Sequence, residues 1–174
     1  MTYQTVSLLA NISFTLSFII ALIFGLVQVK ASARDRRERL TLDTLNQFQT
    51  RAFCELILYI STVKMPANRA GMRALPQAEQ VNIIQFGQEM ESLGLLVAEK
   101  LINIDLVDKT LGSLVTTAWE KYKPMFEDMR RNTPDPFLGE YFQWLAEGID
   151  KRLNETPRQP FHEAHKRGAD ATVN

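Results

Sequence analysis

Val6–Val29, VSLLANISFTLSFIIALIFGLVQV, decides the architecture: twenty-four consecutive residues carry no charged side chain. As a helix rising 1.5 Å per residue this stretch is about 36 Å long, more than the roughly 30 Å of a bilayer's hydrocarbon core. A buried helix in a soluble protein rarely needs such length. Asn11 and several Ser and Thr residues lower the hydropathy, but helix backbone and neighbouring helices satisfy such groups inside a membrane. The reading is a single transmembrane helix near the N-terminus.

A secretory signal peptide is the rival reading, since Ala31-Ser32-Ala33 has the small residues of a cleavage site. Against it, Met1–Thr5 carry no positive side chain, and the apolar stretch exceeds the 7–15 residues of a signal core. The bases instead follow the segment: Lys30, Arg34, Arg36, Arg37 and Arg39. By the positive-inside rule the N-terminus is outside and everything after residue 30 is cytoplasmic, in the cytoplasmic (inner) membrane. This basic group is also the candidate contact with anionic membrane lipid. Within the span, Ser13, Ser17, Ala21 and Gly25 recur every fourth position. Such a stripe lets two helix backbones approach closely, and it is the candidate pairing face of a homo-oligomer.

The whole chain of 174 residues is balanced at 20 bases and 20 acids, yet the charge is polarised along it. Residues 30–76 hold nine Lys/Arg against four Asp/Glu, a net of +5, whereas residues 77–153 hold eight against thirteen, a net of −5. The acidic outer region argues against nucleic acid as a partner.

Beyond the anchor the apolar period is helical. Leu42, Leu45, Phe48, Ala52, Leu56, Ile60 and Val63 step by three or four, and predict one amphipathic helix continuous with the anchor. Met65–Pro76 reads as a loop. A helix follows with Ile83, Phe86, Met90, Leu93 and Val97, then another capped by Asn103 or Asp105, with Ile104, Val107, Leu111, Leu114, Ala118 and Tyr122 on one face. Pro124 kinks or ends it, with Met125–Arg131 able to continue as a further turn. Asp135-Pro136 reads as cap and first-turn proline of a last helix carrying Leu138, Tyr141, Phe142, Leu145 and Ile149. No segment alternates with period two. The expected fold is therefore all-α: the anchor (1–30), a basic juxtamembrane amphipathic helix (31–64), a loop (65–77), a helical domain (78–153) and a disordered tail (154–174), the soluble part forming a four- to five-helix bundle. Trp119, Tyr141, Phe142 and Trp144 are expected to fill its core, and Cys54, the lone cysteine, to lie on an apolar helix face.

The search for chemistry finds little. His162 and His165 both fall in the tail, and His162-Glu163-Ala164-His165 is one residue short of the zinc-protease spacing. The scattered glycines make no phosphate-binding loop. Asp105-Leu106-Val107-Asp108 lacks the alternating oxygens of a calcium loop. Glu89 and Glu91 lie two apart on a helix, so they face different ways. Glu120, Lys121, Lys123, Glu127 and Arg131 read as ordinary surface pairs. No catalytic, cofactor-binding or metal site is expected.

Leu93-Gly94-Leu95-Leu96-Val97, Leu101-Ile102, Leu106-Val107, Leu111-Gly112, Trp119, Pro124, Arg130, Pro136 and Trp144-Leu145 carry a resemblance. The pattern is similar to a bacterial family known as a domain of unknown function, whose members look like one N-terminal membrane helix, a basic juxtamembrane helix and a helical cytosolic domain. In the family a Gly often precedes the Leu-Ile pair and an Asp follows it; here Lys100 and Asn103 stand there. The resemblance implies no catalytic or binding residue. The functional expectation is a non-enzymatic single-pass membrane protein whose cytosolic bundle serves as an interaction or regulatory module for a protein partner. The alternative is an oligomerising membrane effector or sensor, for instance in stress or phage defence.

Overall fold

A computed structural model describes residues 3–132, 135–157 and 160. The described residues form six helices and no strand: α1 (Tyr3–Gln47), α2 (Arg51–Thr62), α3 (Arg69–Ala74), α4 (Gln77–Ala98), α5 (Ile104–Asn132) and α6 (Glu140–Glu155). The fold is all-α, a long apolar N-terminal helix followed by a five-helix bundle. Most of the expected tail, with both histidines, lies outside the described residues, although α6 itself runs on to Glu155.

The stretch expected as one helix over 31–64 is divided. Its first part completes α1, and the chain turns at Phe48–Thr50 before α2 begins. Thr50 restarts the helix: its backbone is extended, and its hydroxyl accepts from the Phe53 N–H at 3.3 Å. A threonine that caps a new helix competes with continuation of the old one. The break also sets the rings of Phe48 and Phe53 edge to face at 4.8 Å. It resets the helical phase, so the expected stripe does not stay on one face. Leu45, Leu56 and Ile60 are buried, but Leu42 and Ala52 are exposed, and Thr41 and Thr44 are buried in their stead. Cys54 is exposed, contrary to expectation, because it lies on the side of α2 away from the buried Phe53, Leu56 and Ile60.

The loop after α2 holds the short helix α3, capped by Asn68, whose side chain accepts from the Gly71 N–H at 2.8 Å. In α4 the expected stripe is the observed one: Ile83, Phe86, Met90, Leu93 and Val97 are all buried. Pro124 does not end α5, which continues to Asn132. The bond its missing N–H would make belongs to the exposed carbonyl side of Glu120, where water can substitute. Asp135-Pro136 does not start α6. Asp135 accepts from the Phe137 N–H at 3.0 Å, closing a turn that ends on Gly139 at φ 71°. Arg130 steadies that turn from α5, donating through Nε to the Leu138 carbonyl at 2.7 Å.

The core is a run of rings across α2, α4, α5 and α6. Phe53 stacks on Phe86, Phe86 on Tyr122, and Phe142 meets both Tyr122 and Trp119 edge-on. Tyr122 is buried with its hydroxyl satisfied, donating to the Ile83 carbonyl at 2.8 Å. Trp119 and Phe142 thus sit where expected. Tyr141 is only half-buried and Trp144 is 47% exposed. With Phe142, Leu145, Ala146 and Ile149 facing inward, Trp144 projects from the other side of α6.

Candidate functional site

The feature that sets this chain apart from an ordinary helical bundle is α1. Its apolar part stands clear of the bundle: Ile12, Phe14, Phe18, Ile20, Phe24 and Val29 are all more than half exposed. The described helix is long and apolar enough to cross a membrane. Ser13, Ser17, Ala21 and Gly25 lie on this bare section, and a Cβ added at Gly25 would meet nothing within 4 Å.

Lys30, Arg34, Arg36, Arg37 and Arg39 follow on an exposed stalk. At 100° per residue they are spread around the helix rather than gathered on one face. Arg34 is paired with Glu38 at 2.8 Å, a solvent-exposed pair four residues apart. Arg37 has a different task. Its Nη2 donates to the Ile102 carbonyl at 3.4 Å, in the turn between α4 and α5. One helical turn further on, Thr41 accepts from the Asn103 N–H at 3.0 Å while donating to the Arg37 carbonyl at 2.8 Å. Arg37 and Thr41 therefore form a latch between the foot of the stalk and the α4–α5 turn.

That turn is built to be held. Lys100 adopts the left-handed conformation, φ 57°, a backbone that glycine takes up most readily. Asn103 caps α5, accepting from the Asp105 N–H at 2.8 Å. The latch fixes direction as well as contact. Arg37 and Thr41 meet residues 102–103, whereas Thr44 and Phe48 border a cavity with Gln85, Gln88 and Leu93. So α4 runs antiparallel to α1, and the α4–α5 turn is the end of the bundle nearest the apolar rod. Arg152 of α6 pairs with Asp105 and brings the end of α6 to the same place.

Three polar residues act in ways that spacing alone did not suggest. Glu91, read as an isolated carboxylate, accepts from the N–H groups of Tyr141 at 3.2 Å and Phe142 at 2.8 Å, capping α6 from α4. Lys121, read as surface chemistry, donates to the carbonyls of Ile60 and Ser61 at 2.8 and 2.7 Å, capping the end of α2. Asp105, read as a candidate cap of α5, is the partner of Arg152. Each link joins residues 47 or more positions apart.

On the distal half of the bundle a cleft of about 200 Å³ opens between α3, α4 and α5, lined by Met72, Ile83, Gly87, Tyr122, Met125 and Met129. Burial raises the Tyr122 phenol well above its ordinary value, so at this cleft it is a neutral hydrogen-bond donor. Among the described residues no three His, Cys, Asp or Glu side chains gather as a metal site.

A family model matches residues 15–149, from inside the apolar part of α1 to the last buried residue of α6. The chain belongs to DUF4760, a domain of unknown function. No curated protein and no solved structure matches it. The family's domain therefore takes in most of the bare apolar rod together with the stalk, the latch and the bundle.

Proposed function

We propose that this DUF4760 chain is a single-pass membrane protein, N-terminus outside, whose bundle works in the cytoplasm as a non-enzymatic interaction or regulatory module. One observation carries the reading: α1 is unbroken from its bare apolar end to the latch. A core helix would be covered, and this one is not. A cleavable leader would be cut at Ala31-Ser32-Ala33, and α1 runs through that stretch without a break on its way to Thr41, Thr44 and Leu45 in the bundle's buried interior. The exposed apolar residues of the bundle suit a protein contact. Ile84 and Leu95 flank Glu91 on the outer face of α4, next to the α6 start that Glu91 caps, and Trp144 is exposed one turn along α6 from Tyr141. The partner's surface is expected to be apolar and uncharged at its centre.

The test is cross-linking of the full-length protein in its own membrane, with protease accessibility read from both sides. The proposal expects a bundle digested only from the cytoplasmic side and a discrete protein partner, lost on Trp144→Glu. Release of the protein by alkaline extraction, or cleavage of the bundle from outside, overturns it.

A second reading, an oligomerising effector or sensor, is favoured by the helical phase of α1. Counting 100° per residue, the stripe of Ser13, Ser17, Ala21 and Gly25 centres about 150° around from the bundle-facing Thr41, Thr44 and Leu45. Two rods can pair through the stripe with both bundles outward and unobstructed. Ala21→Leu with Gly25→Leu should abolish the dimer band on this reading; an unchanged band removes it.

A further inference from the structure

We propose that the α4–α5 turn is a foot on the lipid surface: Leu101 rests in the bilayer interface and Lys100 reaches the headgroup phosphates. The inference rests on α1 spanning the membrane and adds which part of the bundle touches lipid.

The observations are geometric. Lys100 and Leu101 are both exposed, Leu101 by 48%, at the end of the bundle nearest the apolar rod. The latch fixes their height, because Ile102 is tied to Arg37 and Asn103 to Thr41. Arg37 lies eight residues past Val29, about 12 Å along the helix. The headgroup layer occupies about 5–7 Å beyond the hydrocarbon on each side. An upright α1 would thus leave the turn just above the headgroups.

An upright α1 is not what its length favours. Fitting about 36 Å of apolar helix into about 30 Å of hydrocarbon calls for a lean of about 30°. Helices that pack lie about 8–10 Å apart, so leaning towards the bundle lowers the turn by about 5 Å, into the headgroup layer. Leaning the other way would lift it clear. An apolar side chain beside a lysine at that height favours the first direction, because leucine gains by leaving water and an ammonium by staying among phosphates.

Electrostatics does not oppose the contact. At this end of the bundle Arg152 is paired with Asp105 and Lys151 with Glu155, and the unpaired Lys100 stands beside Glu99. The stalk between the apolar rod and the turn supplies the positive field. The foot would give the membrane helix a defined tilt direction, which a simple tether lacks.

The test uses the full chain with Cys54→Ser in vesicles of mixed anionic and zwitterionic lipid brominated near the glycerol. A fluorophore is placed in turn at Leu101→Cys, Gly25→Cys and the distal Leu58→Cys. Quenching at position 101 several times that at position 58, alongside quenching at 25, is the expected result. Quenching at 25 with position 101 as dark to bromine as position 58 overturns the foot and leaves the anchor standing. No quenching at 25 overturns the anchor and the foot with it.

Discussion

Gly94 on α4 lies against the backbone of Tyr141 on α6, so near that a Cβ built at Gly94 would sit 2.2 Å from the Tyr141 carbonyl oxygen. Backbone cannot yield as a flexible side chain can, so Gly94→Ala must push α6 away from α4. The expected loss is about 3 kcal/mol, at the upper end for an overpacked core. Gly148→Ala on α6 meets nothing within 4 Å and should instead stabilise by about 0.5–1 kcal/mol through helix propensity. Urea unfolding of the full-length protein in detergent, followed by circular dichroism, checks both. Equal effects at the two glycines would contradict this account of how α4 and α6 approach.

Glu91 works at the same junction, three residues before Gly94. Its two carboxylate oxygens each take one N–H of the first turn of α6. Gly139, at the cap position, has no side chain to do so. Glu91→Ala should therefore cost about 1–2 kcal/mol, the range for losing a helix cap. Glu89→Ala, two residues away, loses only the bond this half-buried carboxylate accepts from the Gln85 side chain one turn earlier at 3.0 Å, and should change stability by less than about 0.5 kcal/mol. Hydrogen exchange gives the sharper readout: in Glu91→Ala the amides of Tyr141 and Phe142 should lose protection first.

The two glutamates show where sequence reasoning stopped. Period and hydropathy identified α4 residue by residue, because Ile83, Phe86, Met90, Leu93 and Val97 are both the apolar set and the buried set. They identified the bare rod for the same reason. They did not find the break at Phe48–Thr50, since a threonine cap looks like any polar residue until a second helix needs it. Trp144 and Cys54 were misplaced because size and apolarity do not fix the angle around a helix. Glu91 and Lys121 were read without a distant partner, and Arg37 as a lipid contact, because their partners are backbone groups of distant elements, which leave no spacing to detect. In this chain the architecture is written locally and the junctions are not.

Tyr59 predicts a pH dependence. Its phenol is pushed up to about 12 from the ordinary 10.0, first by burial and then by the hydrogen bond it donates to Glu79 at 3.1 Å. A group whose value is raised in the folded state binds its proton more tightly there. The stability it contributes is complete below pH 10 and is lost as pH rises towards 12. The unfolding free energy measured between pH 9 and about 12 should fall more steeply for the native protein than for Tyr59→Phe. Parallel curves would show that the Tyr59–Glu79 contact is not held in solution.

The last prediction concerns what passes between the rod and the bundle. Thr41 is fully buried, and its hydroxyl both accepts from Asn103 and donates to the Arg37 carbonyl. Thr41→Val keeps the shape and removes the hydroxyl, leaving the Asn103 N–H without its partner, at a cost of about 1–3 kcal/mol. Thr15→Val, whose hydroxyl bonds only within the bare rod to the Asn11 carbonyl, is the control. If α1 is coupled rigidly to the bundle, Thr41→Val should raise hydrogen exchange at residues 100–104 while leaving α6 protected. It should also decouple them: a spin label on the stalk at Ser32→Cys and one at Lys109→Cys, with Cys54→Ser, should show a single narrow distance distribution in the native chain and a broadened one in the variant. A broad distribution already present with Thr41 intact would mean that α1 only tethers the bundle, because a latch that does not fix the distance cannot carry a movement of the apolar rod into the domain.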